Sequence, residues 1–268
     1  MVSRVLKASG EVESFSREKI VASLAACGVP EREAGEVAIE IEESLPDLVS
    51  TSEIRSRVEA ILRERYPKCA LRYALKQALA RLGPEGYPFE RYFARILEKL
   101  GYSTRVGVVA AGRCVDHEID IVAEKSGRRY LVECKYHSAP GAKTDVKVVL
   151  YVYARFLDLK EYFDCAWIAT NAKLTSKAAR YAGCVGMRAT GWKYPEGEGL
   201  EVLVERTGLY PITVLSTLGE AARRSLLAAG YVALEDVMRV SASELSESAG
   251  IPVGEAERIL EEASLLAP

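Results

Sequence analysis

Apolar residues in the first third of the chain recur with the period of a helix. In residues 16–83 they return every three or four positions, which predicts amphipathic helices. These helices are expected near 17–27, 31–44, 51–64 and 68–82. Alternation over residues 1–15, with a turn at Ser9 and Gly10, predicts a short hairpin before them. The run Gly83-Pro84-Glu85-Gly86 predicts a linker after them.

From residue 84 the pattern changes to strands that alternate with helices. The predicted helices span 88–100, 144–159 and 175–185, and the extended segments span 102–109, 114–124, 129–136 and 165–170. This order is typical of a mixed α/β sheet flanked by helices. After a second linker at 195–199, helical spacing returns at 217–229, 233–238, 242–249 and 253–265. The sequence therefore predicts a mainly helical domain over 1–83, an α/β domain over 84–195 and a helical domain over 196–268.

Composition is that of an ordinary globular protein. Of the 268 residues 49% are hydrophobic, and no run approaches the roughly 18 apolar residues of a membrane span. The N-terminus lacks the apolar run of a signal peptide, so we expect a cytoplasmic protein without a membrane partner. The six cysteines form no C-x-x-C pair, which leaves free thiols, with one disulfide still open. A single Asn and a single Gln among many Glu and Arg indicate a thermophile.

Charge is unevenly spread along a chain whose formal net charge is -2. Residues 135–193 hold ten Lys and Arg against four Asp and Glu, whereas residues 196–268 hold five against thirteen. A basic segment within a neutral chain is typical of a protein that binds the phosphate backbone of DNA. The alternative, a basic face exposed to solvent, stays open from composition alone.

Two neighbouring predicted strands carry the candidate catalytic residues. Because alternate residues of a strand point to the same face, Asp116, Glu118 and Asp120 share one face of the first strand. Glu133 and Lys135 share one face of the second strand, which follows after a short turn. Pairing of these two strands can place Asp120 beside Glu133.

These residue types have a chemistry in common. Two carboxylates with a backbone carbonyl form an all-oxygen site that suits Mg²⁺ or Mn²⁺. Such an ion polarises a phosphodiester, and Lys135 would stabilise the charge that develops during hydrolysis. The alternative is a solvent-facing strand, which also alternates charged and apolar residues. The two histidines, His117 and His137, either assist at this site or make only local hydrogen bonds, which is the interpretation we favour.

A resemblance to a known family becomes specific in the middle of the chain. Residues 84–195 resemble the Mrr-type restriction endonuclease fold, which is a PD-(D/E)xK nuclease fold. The resemblance lies in the segments G-Y-P-F-E-R-Y-F-A-R-I-L-E-K-L-G-Y, H-E-I-D-I-V-A and V-E-C-K. The resemblance implies a metal-dependent DNA endonuclease with an active site of Glu90, Asp120, Glu133 and Lys135. It also implies that the metal is bound by Asp120, Glu133 and the backbone carbonyl of Cys134.

Residues 1–83 resemble the ATP-cone, a small nucleotide sensor of ribonucleotide reductases and their transcriptional repressor. The resemblance lies in V-L-K-A-S-G-E-V-E-S-F-S-R-E-K-I, S-T-S-E-I-R-S-R-V-E-A-I-L and R-Y-A-L-K. It implies that ATP or dATP binds as an effector, with Lys7 and Lys19 at the triphosphate and Thr51 lining the pocket. The two residues after Lys7 depart from the common K-R-(D/N)-G, which leaves the nucleotide preference open. The alternative is a small helical domain that binds nothing.

Three basic residues between the two linkers have two interpretations. Lys143, Lys147 and Arg155 lie at spacings of four and eight along one predicted helix. They either follow the DNA backbone, which would make them nucleic-acid-binding residues, or they pair with Asp145 and Asp158 on a solvated surface. The sequence does not decide between these interpretations.

The acidic tail resembles a helix-hairpin-helix in the segment L-S-E-S-A-G-I-P-V-G-E-A-E-R-I-L-E-E-A. Such hairpins offer backbone N–H groups to DNA phosphates, but the excess of acidic residues argues against tight DNA contact. A protein contact is at least as well supported there as a DNA contact, and we expect a homodimer. Two functions follow for the whole chain: an endonuclease that responds to ATP or dATP, or a nucleotide-sensing DNA-binding or interaction protein with an inactive nuclease fold. The intact set of Asp120, Glu133 and Lys135 favours the endonuclease.

Overall fold

The computed structural model describes residues 4–7, 10–83, 85–139 and 141–266. Ala8 and Ser9, where the sequence departs from the cone motif and where the predicted turn begins, lie outside these residues. Pro84 of the first predicted linker also lies outside them. The chain divides into two compact units, Met1–Ala74 and Leu75–Ala267. The second predicted linker falls inside the second unit, and the division into three domains stays a prediction.

The first unit is a small sheet covered by helices. Its strands are β1 (Arg4–Leu6), β2 (Val12–Ser14) and β3 (Leu48–Ser50), and its helices are α1 (Arg17–Ala26), α2 (Glu31–Ser44), α3 (Thr51–Arg65) and the first part of α4 (Pro67–Ala80). β1 pairs antiparallel with β2, as the predicted hairpin requires, and parallel with β3. Ser16 and Ser50 begin α1 and α3, because their hydroxyls accept backbone N–H groups of the first turn. Leu24, Ile41 and Leu62, all at helical spacing, are buried in the core.

A five-stranded mixed sheet forms the centre of the second unit. Its strands are β4 (Ser103–Ala111), β5 (Asp116–Lys125), β6 (Arg128–Lys135), β8 (Cys165–Thr170) and β10 (Arg188–Thr190), in the order β10-β8-β6-β5-β4. The pairs β4/β5 and β5/β6 are antiparallel, and the pairs β6/β8 and β8/β10 are parallel. A second, parallel pair joins β7 (Lys143–Thr144) to β9 (Lys173–Leu174). The predicted fold class, an α/β core with a mixed sheet, is confirmed.

Helices cover both faces of the five-stranded sheet. They are α5 (Tyr87–Lys99) on one face, with α6 (Val146–Asp158) and α7 (Ser176–Cys184) on the other. Phe93 of α5 packs edge-on against Trp167 of β8. The next residue of β8, Ile168, points the other way and joins Val149 of α6 and Ala178 of α7 in a buried apolar core.

The tail is helical, as its spacing predicts. Its helices are α8 (Leu200–Thr207), α9 (Glu220–Ala228), α10 (Leu234–Val237), α11 (Ala242–Ala249) and α12 (Val253–Leu266), with a short 3₁₀ helix over Ile212–Val214. α11 and α12 form a helical hairpin, and Gly250 between them has a φ of 65°. Arg95 of α5 forms ion pairs with Glu235 and Asp236 of α10. These contacts attach the tail to the helix that precedes the sheet.

Several short elements were not predicted from the sequence, namely β3, β7, β9, β10 and α8. Thr144 belongs to β7, so α6 begins at Val146 and Lys143 lies before the helix, contrary to the prediction. All six cysteines are free thiols. No helix in the described part of the chain has both the length and the apolar character that a membrane-spanning segment needs.

Candidate active site

Asp120 and Glu133 lie where the pairing between β5 and β6 ends. Backbone pairing of these strands stops one residue short of both acids. Instead, the Asp120 carboxylate accepts a hydrogen bond from the backbone N–H of Cys134 at 2.7 Å. β6 continues beside β8 as far as Lys135. The structure therefore brings Asp120, Glu133 and Lys135 together at one end of the sheet.

Glu133 has a cationic partner that sequence reasoning placed elsewhere. The guanidinium of Arg155, on α6, forms an ion pair with Glu133, and the two side chains are only 12% and 17% exposed. Arg155 also donates to the carbonyl oxygen of Glu118 at 2.9 Å and to the hydroxyl of Tyr151. Arg155 therefore belongs to the acidic site rather than to an exposed basic surface, and its pairing with Asp158 is not observed.

The signal for this position was present in the sequence. Arg155 follows Val152 by three residues and precedes Leu159 by four, and both of these are buried against the sheet. Residues at such spacings share a helix face. The periodicity therefore predicts that Arg155 points inward, although it does not identify the acid that Arg155 meets.

Glu90, in the first turn of α5, lies close enough to the two strands to share their electrostatic field. Burial, then the charges of Asp120 and Glu118, raise the pKa of Glu90 to about 7. Burial, then Asp120, likewise raise the pKa of Glu133 to about 7, although Arg155 opposes this change. Burial also raises the pKa of Asp120, against the effect of its hydrogen bond from Cys134. When ionised, these three acids outnumber the two cations that act on them, Arg155 and Lys135.

Lys135 is exposed at the end of β6, two residues after Glu133, where β6 is still paired with β8. Its charge lowers the pKa of both Glu133 and His137, although burial dominates the pKa of each. The lysine is therefore near the carboxylates without forming an ion pair with any residue that the structure describes. This position leaves its ammonium group accessible from solvent.

The donor atoms of the site suit a hard divalent cation. Among the residues described, no three His, Cys, Asp or Glu side chains form a metal-binding group. The predicted set requires only the two carboxylates of Asp120 and Glu133, with the Cys134 carbonyl as a third oxygen. One oxygen of each carboxylate is engaged, by Cys134 and by Arg155, and the other makes no hydrogen bond within the described chain. Two such oxygens in a site of excess negative charge fit Mg²⁺ or Mn²⁺.

Both histidines make local hydrogen bonds, the interpretation favoured from the sequence. His117 Nε2 lies 2.9 Å from a carboxylate oxygen of Asp158. Hydrogen bonds from Cys114 and His117, and from the backbone N–H of Val115, hold the pKa of Asp158 at about 2. His137 Nε2 lies 2.9 Å from the hydroxyl of Thr144. Neither contact directs a histidine to the carboxylates of Asp120 and Glu133.

The two remaining basic candidates are exposed. Lys143 lies in β7 and Lys147 in the first turn of α6. Asp145 caps α6 by accepting the backbone N–H groups of Lys147 and Val148, at 3.0 and 3.4 Å, instead of pairing with a lysine side chain. Both lysines therefore remain available to a DNA backbone, and that role stays a prediction.

In the first unit, Lys7 and Lys19 converge on one acid. Glu13 of β2 pairs with Lys7 at 3.1 Å and with Lys19 at 3.0 Å, and Lys7 also pairs with Glu11 at 3.0 Å. The two lysines lower the pKa of Glu13. The Thr51 hydroxyl donates to the carbonyl oxygen of Leu6, at 3.3 Å, beside the strand that carries Lys7. The two lysines predicted to contact a triphosphate thus lie together around the Glu13 carboxylate.

Three families match successive segments of the chain. Residues 3–79 match the ATP cone domain, residues 83–189 match a restriction endonuclease catalytic domain, and residues 210–267 match the AF1548-like C-terminal domain. The resemblances seen for the cone and for the Mrr-type nuclease are confirmed by these matches. The tail matches a domain that bears the name of one protein rather than of an activity.

Two relatives match this chain over nearly their whole length. An uncharacterised protein of Archaeoglobus fulgidus is 45% identical over 171 residues, which are 63% of this chain and 97% of that protein. The crystal structure of a protein of unknown function, AF1548, matches with a TM-score of 0.61 and 44% identity, over 67% of this chain and 97% of that one. These matches show that the proteins are homologous, and neither relative has a stated activity.

Proposed function

Since this chain belongs to the AF1548-like family and joins an ATP-cone segment to a restriction endonuclease segment, we propose that it is a metal-dependent DNA endonuclease that responds to ATP or dATP. The observation that carries the proposal is the pair of mostly buried acids, Asp120 and Glu133, at the end of two adjacent strands. Lys135 follows on the same strand face as Glu133. A solvated strand face would not hold two acids with raised pKa values.

The proposed metal ligands are the carboxylates of Asp120 and Glu133 and the backbone carbonyl of Cys134. A divalent cation there would polarise the scissile phosphodiester and offset the charge of its oxygens. Asp120 is held in place because its other oxygen accepts the Cys134 N–H. This bond fixes the carboxylate relative to β6, so the protein bears the cost of positioning before a substrate binds.

Lys135 and Glu90 act on the substrate side of the site. The exposed ammonium of Lys135 can contact a phosphate oxygen on which charge develops, where one preorganised cation has a large effect on rate. Glu90 has a pKa of about 7 in the metal-free protein, and a cation bound beside it would favour its charged form. Lys143 and Lys147 would contact the flanking backbone and contribute affinity rather than rate.

Nucleotide control would act through the first unit. A triphosphate could replace Glu13 as the partner of Lys7 and Lys19, since it offers the same lysines more negative charge. Loss of the ion pairs between Glu13 and these lysines would allow the hairpin of β1 and β2 to rearrange. We propose that this exchange is the local event through which ATP or dATP acts.

Replacement of Lys135 by alanine tests the endonuclease proposal. Cleavage of plasmid and single-stranded DNA with Mg²⁺ or Mn²⁺ should slow by about 10²–10³-fold, the usual effect of removing one charge-stabilising group. DNA affinity should fall by no more than about fivefold, because it is shared among many phosphate contacts. Lys160→Ala, which removes one exposed charge two residues beyond the end of α6, is the matched control and should cut at the normal rate. A Lys135→Ala chain that binds and cuts normally would refute the assignment.

The Arg155–Glu133 ion pair favours a second function, a nucleotide-sensing DNA-binding or interaction protein with an inactive nuclease fold. An internal cation at Glu133 can substitute for a metal and stabilise a site that never cuts. The two functions differ in a direct test with wild-type chain. If no combination of Mg²⁺, Mn²⁺, ATP and dATP yields cleavage while DNA still binds, the second function holds.

A further inference from the structure

A cavity of about 320 Å³ lies in the second unit on the face of the sheet opposite to Glu133. Its lining includes Trp167 and Arg188, which occupy paired positions on β8 and β10, and Trp167 in turn pairs with Val132. Paired residues point to the same face and successive residues alternate, so these side chains face away from Glu133. The cavity is therefore distinct from the carboxylate site.

Arg188 is held flat in the cavity wall. Its guanidinium lies 3.8 Å from the centre of the Trp167 ring and 5.5 Å from that of Tyr130. It also donates to the Tyr102 hydroxyl at 2.7 Å. The aromatic contacts and the hydrogen bond thus fix a planar cation in the cavity wall. Such a group can pair with a phosphate through its edge, and bases stack on guanidinium planes of this kind.

The cavity carries excess positive charge. Lys125, Arg188 and Arg206 line it, and Glu198 is the acid among its lining residues. None of the three cations forms an ion pair with a carboxylate in the described ranges. The four charged groups sum to a net charge of +2. A ligand of charge close to -2 would offset them, and a phosphate monoester carries about -1.5 to -2 near pH 7.

We propose that this cavity binds a nucleoside monophosphate, with the phosphate at Arg188, Arg206 and Lys125 and the base against the flat face of Arg188. Its volume lies at the lower end of the range for small-molecule sites, about 300–1,000 Å³, which suits one nucleotide and not a strand. The ligand is either a free mononucleotide or the phosphorylated end of a DNA strand, because both present one phosphate and one base. The site does not depend on cleavage by the carboxylates.

Calorimetric titration of the full chain tests the proposal. The probes are dAMP, deoxyadenosine, and a short single-stranded oligonucleotide with or without a 5′-phosphate. Arg206 is exposed, so the Arg206→Ala variant should fold normally. The variant lacks one charge-assisted contact to the phosphate, which should weaken dAMP binding by about tenfold or more. Arg180→Ala, an exposed arginine of α7 outside the cavity, is the matched control and should leave binding unchanged. Lys7→Ala weakens the proposed nucleotide site of the first unit, so a titration signal that persists in this variant comes from the cavity. This variant should bind dAMP as the wild type does.

The arms of the experiment identify the source of the ligand. Tighter binding of the 5′-phosphorylated oligonucleotide than of dAMP, lost in Arg206→Ala, assigns the site to a strand end. Binding of dAMP alone assigns it to a free nucleotide. The proposal is overturned if dAMP does not bind, if deoxyadenosine binds as tightly as dAMP, or if neither Arg206→Ala nor Lys125→Ala weakens the titration.

Discussion

Replacing Arg155 by alanine removes the cationic partner of a mostly buried acid, Glu133. Breaking a fully buried ion pair from one side destabilises a protein by about 3–5 kcal/mol, because the remaining charge has no partner. Two features reduce this value here. Glu133 can take up a proton, since its pKa is already about 7, and Arg155 Nε is buried without a hydrogen-bond partner among described residues. We therefore expect a loss of about 2 kcal/mol in the metal-free protein.

Thermal unfolding of metal-free protein measures this loss. For a unit the size of Leu75–Ala267, about 2 kcal/mol corresponds to a fall in Tm of roughly 4–8 °C. The matched control is Arg105→Ala, whose pair with Glu124 spans 4.0 Å between side chains that are 62% and 47% exposed. Removal of such a surface pair should cost less than about 1 kcal/mol.

The same variant tests whether Arg155 and a metal compete for Glu133. In the absence of the guanidinium both oxygens of Glu133 are open to a cation, so Mn²⁺ should bind about tenfold more tightly and restore the lost Tm by mass action. In a Glu133→Gln background the effect of Arg155→Ala on stability should shrink, because the paired charge is already gone. An undiminished effect in that background, or weaker Mn²⁺ binding in the single variant, would show that the competition is absent.

Three further predictions concern the metal, the nucleotide and pH. Asp120→Asn keeps an acceptor for Cys134 N–H but loses a charged ligand, so Mn²⁺ binding by calorimetry should disappear, while Asp116→Asn on the same strand should bind normally. ATP should raise the Tm of the first unit, and Lys7→Ala should abolish that shift. Asp158 has a folded pKa of about 2 against an ordinary value of 3.8, so it stabilises the fold above about pH 4 and loses this effect as pH falls through 2. Asp158→Asn should therefore lower stability at pH 7, with the difference from wild type closing in acid.

Local patterns predicted the elements that carry the site. The alternation of charged and apolar residues over 114–124 and 129–136 located β5 and β6, because a strand exposes every second residue to the same face. Helical periodicity likewise located α5, α6 and α7 to within two residues at each end, apart from the residues assigned to β7. Each of these signals lies within about sixteen neighbouring residues of the chain.

Other features required contacts between distant segments. β3 pairs with β1 across more than forty residues, and the short β7 pairs with β9 across thirty, so neither segment shows a period of its own. The position of Arg155 on the inner face of α6 was readable from its spacing to Val152 and Leu159. Its pairing with Glu133 could not be predicted from the sequence, because that contact depends on how α6 lies across the sheet.

The sequence by itself determined the class of the fold and the acids and lysine of the candidate site, because alternation and helical period are properties of neighbouring residues. It also determined the uneven charge that marks the middle of the chain. Only the tertiary structure decided which charges meet: Arg155 with Glu133, Glu13 between Lys7 and Lys19, and Arg188 on Trp167. The physical reason is that electrostatic and stacking energies fall steeply with distance, and distances between remote residues are set by the order and packing of the strands and helices.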